Sequence, residues 1–159
     1  MFEFLRRKTR KDTGKLRYDA VRLLYFNGPV DETIALMIDQ ENKELELDWG
    51  GTCYAMSLER LRVWYYQDLY GSFLAQGMEM FGKDWQVMKA LLLREKQTRE
   101  ARGSLRNRDG LKLTYQAKDG SRITCLITSE VFLYMNGIFR KLRECTEDMG
   151  VDERRRIEL

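Results

Sequence analysis

Around Asp119-Gly120 the chain alternates between two sets of side chains. Leu111, Leu113 and Tyr115 alternate with Lys112, Thr114 and Gln116 before the pair; Ile123, Cys125 and Ile127 alternate with Arg122, Thr124 and Leu126 after it. A period of two sends successive side chains to opposite faces of a strand. Asp-Gly supplies the positive φ angles that a tight type I′ turn requires. Residues 111–127 therefore read as an antiparallel hairpin. A second hairpin is read over 34–49. Ile34, Leu36 and Ile38 alternate with Ala35 and Met37; Leu45, Leu47 and Trp49 alternate with Glu44, Glu46 and Asp48; Gly50-Gly51 ends the pattern. Such alternation fits a sheet with one buried face and one solvated face.

Helical spacing appears elsewhere. Leu58, Leu61, Tyr65, Leu69 and Phe73 recur every three or four residues after Ser57, a suitable N-cap, and predict a long helix over 57–81. Asp84 then opens a helix over 84–101 carrying Trp85, Met88, Leu91 and Leu92. Ser129 opens a last helix over 129–146 with Phe132, Leu133, Met135, Ile138, Phe139 and Leu142. Residues 16–26 fit both periods. Val21, Leu23, Tyr25 and the Asn27-Gly28 turn favour a strand over 20–26. The expected fold is α+β: an antiparallel sheet of two hairpins with three helices mainly on one face. The order hairpin, short link, serine cap, helix occurs twice, as a duplication or, given the slight residue identity between the halves, a coincidence. Glu44, Glu46 and Asp48 are expected to share an open sheet face with Lys112, Lys118 and Arg122, since opposite charges across strands attract.

At 159 residues and 43% apolar composition, one core is expected without disulfides or metal. We expect a basic arm over 1–15, a domain over 16–150 and a charged tail over 151–159 that contains Arg154, Arg155 and Arg156. Histidine is absent, which removes Ser-His-Asp and Cys-His nucleophiles, HExxH zinc sites and other imidazole-ligated metals. The three cysteines, Cys53, Cys125 and Cys145, form no CxxC pair or disulfide framework. Reduced thiols, and a start without the pattern of a signal peptide, point to a cytoplasmic setting. GxxxxGK[ST], GxGxxG and GxSxG are missing, and no cofactor is expected.

Binding features remain. Arg6, Arg7, Lys8, Arg10 and Lys11 lead a basic run that continues to Arg17, and Arg94, Lys96, Arg99, Arg102, Arg106 and Arg108 form a second over 94–108. Such runs attract phosphate backbones through counterion release, or are plain solvated surface. No stacking aromatic lies within either run. Trp64, Tyr66 and Tyr70 exceed what one helix stripe can bury and are the candidate protein-binding residues. Asp39, Glu41, Glu44, Glu46 and Asp48 raise a metal question, but alternate strand residues do not converge unaided, so a solvated face and no metal site is expected. Cys53, placed before the expected helix, invites a lowered pKa but has no imidazole base and reads as structural. The favoured reading is a non-enzymatic binding protein with a protein partner, an accessory or inhibitory factor. A nucleic-acid accessory role is the alternative, an unrecognised enzyme ranks third, and self-association is left open.

Overall fold

The computed structural model describes residues 15–145. The fold is α+β, with one antiparallel sheet of seven strands in the order β4-β3-β2-β1-β7-β6-β5. The strands are β1 (Lys15–Phe26), β2 (Pro29–Asp39), β3 (Glu44–Trp49), β4 (Thr52–Ser57), β5 (Leu61–Tyr66), β6 (Gly110–Gln116) and β7 (Arg122–Thr128). The helices are α1 (Leu69–Phe81), α2 (Trp85–Arg102) and α3 (Tyr134–Cys145).

Strands β4 and β5 lie at opposite ends of that order, yet only the 3-10 turn Leu58–Arg60 joins them. Neighbouring strands sit about 4.8 Å apart, so a flat sheet would separate these edges by roughly 29 Å. The backbone from Ser57 to Leu61 reaches at most about 14 Å. The sheet must therefore roll until its two edges approach. The contacts agree: the Ser57 amide, at the end of β4, donates to the Tyr115 hydroxyl of β6 at 3.3 Å.

Rolling creates an interior. Ile34, Leu36, Ile38, Leu45, Leu47, Leu61, Val63, Leu111, Leu113, Cys125 and Ile127 line it, and Met135, Ile138, Phe139 and Leu142 of α3 fill it. On the outside, Leu24, Tyr25 and Leu126 pack against Leu69, Tyr70, Phe73, Phe81, Trp85, Met88, Leu91 and Leu92 of the α1–α2 hairpin. The helices thus cover both faces, not mainly one as the sequence suggested. Strand β1 serves both halves. Its first part pairs with β2, and its later residues pair with β2 and β7 together. A bulge between Tyr18 and Val21, with Ala20 at φ +64°, bends it between these tasks.

The two expected hairpins form, as β2–β3 and β6–β7. Lys15–Phe26 is strand throughout, longer than the 20–26 expected. The long helix over 57–81 does not form. Leu58, Leu61, Tyr65 and Leu69 satisfy a helical stripe, but Leu61 and Val63 also satisfy a period of two, and the segment is rich in β-branched and aromatic residues. It becomes β5, and helix begins at Leu69, where the Asp68 carboxylate accepts from the Gly71 amide at 3.0 Å. Strand β4 was unforeseen, and its presence breaks the suggested internal repeat. The last helix starts at Tyr134 and not at Ser129, because the Ser129 hydroxyl accepts from Val131 N and donates to Ala20 O. The acidic strand β3 and basic strand β6 share one sheet, but β2, β1 and β7 intervene, so their charges are not cross-strand neighbours.

Gly77 closes the helical hairpin. A Cβ there would lie 2.1 Å from Trp85 Cζ3 and 2.7 Å from Cε3. Gly137 in α3 has open space around it. We expect Gly77→Ala to cost about 1–3 kcal/mol through forced repacking, whereas Gly137→Ala should add up to about 1 kcal/mol through helix propensity. Urea denaturation measures both, and equal stability of Gly77→Ala and wild type would refute the packing described.

Candidate functional site

The helical hairpin is anchored by charge as well as by apolar packing. Arg99 of α2 is fully buried, and Glu95 one turn earlier is 9% exposed. Burying a guanidinium demands partners, because an unpaired charge in low dielectric is costly. Arg99 Nη2 lies 3.8 Å from Glu95 Oε2 and donates to Thr128 Oγ1 of β7 at 3.2 Å. Arg99 Nη1 donates to the Asn107 carbonyl, and the guanidinium sits 5.7 Å from the Tyr70 ring centroid. Burial pushes the Tyr70 hydroxyl well above its ordinary pKa, against the opposing charge of Arg99. Glu95 also meets Arg22 of β1 at 3.5 Å; Arg22 in turn pairs with Asp31, which Arg94 reaches at 2.6 Å. One ionic chain thus ties α2 to β1, β2 and β7.

The same node orders the loop after α2. Gly103 ends the helix at φ +73°, Ser104 N donates to Arg99 O, and the Asn107 amide donates to Glu130 O at 3.0 Å. Arg102 pairs with the Glu130 carboxylate at 2.5 Å, and Ser104 Oγ donates to it at 3.3 Å. Residues 102–107 are therefore stitched to Glu130, immediately before Val131-Phe132-Leu133. Those three are exposed by 40%, 68% and 60%. Leu133 stands at φ +67°, a left-handed conformation that branched and bulky residues rarely adopt. An apolar knuckle is thus presented next to the exposed Arg102, while Arg106 and Arg108 are exposed on the loop that Asn107 ties to Glu130.

The candidate residues read from sequence divide. Arg6, Arg7, Lys8, Arg10 and Lys11 lie outside the described residues, as does the segment 151–159. Arg99 belongs to the buried node, so it is not part of an exposed basic surface. Arg102, Arg106 and Arg108 are exposed and share one end of the fold. Trp64, Tyr66 and Tyr70 form no common helix face. Trp64 lies on β5 under Lys112 Nζ, 4.4 Å from its ring centroid. Tyr66 packs on Phe73 at 4.9 Å, and Tyr70 is wholly interior. The sequence pattern places Phe132 and Leu133 on the apolar side of a helix over 129–146, whereas the structure exposes them together with Val131. The run Val131 to Met135 holds five successive apolar residues, more than one helix stripe accommodates, and that was the available signal.

Side-chain oxygens of Asp39, Glu44 and Glu46 lie within 4.8 Å of one another, which strand spacing alone did not suggest. The convergence comes from β2 and β3 together, since Asp39 and Glu44 are register partners. Lys15 Nζ reaches Glu46 at 3.3 Å, and Asn42 donates to both Asp39 oxygens, at 3.0 and 2.9 Å. Cys53, nearby on β4 and not at a helix start, has its thiol pKa pushed up by partial burial and by Glu46 and Asp48. Burial raises the Cys125 thiol to about 12. Tyr65 is likewise raised to about 12 by burial and by donating to Asp109 at 2.6 Å. Among the described residues no helix is long and apolar enough to cross a membrane. No protein-family model and no curated protein matches the chain.

Arg99→Ala leaves Glu95 buried without its partner on α2 and should cost about 3–5 kcal/mol. Hydrogen exchange should then accelerate across 103–110 before the rolled sheet opens; uniform exchange would refute the anchoring role. For Asp39, burial alone would raise the carboxyl pKa, but the Asn42 hydrogen bonds and the Lys15 charge outweigh it, and the net shift is downward. A depressed folded pKa stabilises above the unfolded value of about 3.9 and is lost as pH falls through the folded one. Asp39→Ala should cost about 1–3 kcal/mol at neutral pH and lose less further stability than wild type on acidification below about pH 4.

Proposed function

We propose that this protein acts by binding a protein partner through the apolar knuckle Val131-Phe132-Leu133 and its arginine rim. The observation that carries this reading is the conjunction of three successive exposed apolar side chains with a positive φ at Leu133. Strained, overdetermined loops concentrate at sites of function, and a folded protein gains nothing by placing Phe132 in water. An aromatic anchor bordered by arginines is also the composition of interface centres. The complementary partner presents an apolar pocket to receive Phe132 and Leu133, with acidic groups opposite Arg106 and Arg108. The mechanism is occlusion or bridging, as in an accessory or inhibitory factor, and not bond chemistry.

The aromatic set Trp64, Tyr66 and Tyr70 gives way to this knuckle as the proposed contact, since Tyr70 has no surface to offer. The nucleic-acid alternative retains Arg102, Arg106 and Arg108, but it gives no role to the apolar residues beside them.

The double variant Phe132→Ser, Leu133→Ser should fold normally, because both side chains are already exposed. Affinity capture from the native cell, with wild type and variant side by side and nuclease added, supplies the test. A protein retained after nuclease and bound at least about 30-fold more weakly by the variant supports the reading. Loss of all bound material on nuclease treatment favours the nucleic-acid alternative. Sedimentation of the purified chain reveals whether the partner is a second copy. Identical capture by variant and wild type would sink the proposal.

A further inference from the structure

A separate feature lies on the outer face of β5, β6 and β7, away from the knuckle. There Arg60, Arg62, Thr114, Gln116 and Arg122, with Tyr115 between Thr114 and Gln116, line an open cleft of about 70 Å³. The register explains the convergence. Arg62 of β5 stands opposite Thr114 of β6, and Gln116 stands opposite Arg122 of β7. Arg60, in the turn that joins the two sheet edges, donates to the Gln116 carbonyl at 3.3 Å. Three segments distant in sequence therefore bring guanidinium groups around one strand.

These arginines differ in their surroundings from six of the other nine arginines among the described residues. Arg17, Arg22, Arg94, Arg99, Arg102 and Arg108 each have a carboxylate within 4 Å. Among the described residues no salt bridge engages Arg60, Arg62 or Arg122. Lys112, on the same face of β6, is engaged with the Trp64 ring at 4.4 Å, and its pKa is lowered by burial and by the charge of Arg122. The nearest acid in the β6–β7 turn, Asp119, is occupied with Ser121. Like charges gathered on neighbouring strands repel, and a concave site of one sign focuses its potential on an incoming counter-ion.

We propose that this cleft binds a phosphate-bearing ligand. Guanidinium forks match phosphate oxygens in bidentate fashion. Three of them suit a phosphate dianion better than a single carboxylate, and the Thr114 hydroxyl adds a neutral donor. The cleft is open on one side, so the phosphate enters as the end group of a larger molecule or as a small soluble ester. A soluble phosphate and a lipid phosphomonoester share this chemistry.

Isothermal titration with inorganic pyrophosphate, and co-sedimentation with phosphatidylcholine vesicles containing phosphatidic acid, distinguish the two sources. Binding in either arm supports the site and names its source. Arg62→Gln and Arg122→Gln should each weaken binding about ten- to a hundredfold, the loss expected for a hydrogen bond to a charged group. Arg62→Lys keeps the charge but loses the fork, and should still weaken binding severalfold. Arg106→Gln, at the other basic surface, should leave it unchanged, and circular dichroism verifies that all variants fold. Absence of binding in both arms would overturn the proposal. So would equal loss in Arg106→Gln and Arg62→Gln, or full retention by both cleft variants, since either result reduces the effect to general charge.

Discussion

The Leu58–Arg60 link joins the outermost strands of a seven-stranded sheet, and the rest of the architecture follows from its shortness. A sheet whose edges must meet cannot stay open, so it acquires an inside and an outside. α3 contributes Met135, Ile138, Phe139 and Leu142 to that inside. The outside of β1 and β7 then remains apolar at Leu24, Tyr25 and Leu126, and α1 and α2 cover it. β1 can serve both halves only if it bends, which accounts for the left-handed Ala20 and for the Ser129 hydroxyl that holds its carbonyl at 2.8 Å.

Buried charge adds specificity to this apolar scaffold. An ion pair in the interior is a weak source of net stability, since desolvation offsets much of the attraction. Its value here is positional. Arg99 meets Glu95, Thr128 and the Asn107 carbonyl together, with only its Nε left without a hydrogen-bond partner, and these contacts fix how the helical hairpin sits on the sheet. That seat determines where residues 102–107 run, and through Glu130 it also determines where the exposed Val131-Phe132-Leu133 segment stands.

The parts of the fold legible in the sequence were those governed by local pattern. The β2–β3 and β6–β7 hairpins, the helix from Trp85 and the mixed α+β class all follow from alternation, turn chemistry and apolar periodicity. The segment 57–66 was not legible, because Leu58, Leu61 and Tyr65 fit a helical stripe while Leu61 and Val63 fit a strand. Only tertiary pairing with β6 decides between them. That one ambiguity concealed strand β5, the rolled sheet and the meeting of Arg60 and Arg62 with Arg122. The buried state of Arg99 was equally hidden, since a basic run reads as solvated surface until long-range partners are known. Spatial clusters such as Asp39 with Glu44 and Glu46 depend on register, which alternation does not specify across separate strands.

The α1–α2 hairpin departs from the sheet after Tyr66 and returns at Gly110, and these two residues face each other in the β5–β6 ladder. At the root, the Leu69 amide donates to the Arg108 carbonyl at 2.9 Å, drawing the outgoing and incoming chains together. The helical pair is in this sense an elaborated turn: its two ends are as close as those of an ordinary strand reversal. Topologically the sheet would remain continuous with a short connector in that position, provided polar residues replaced the apolar ones left uncovered on β1 and β7. The junction is thus a natural socket for engineering, where a foreign segment with closely spaced termini can be spliced without altering the order of the strands.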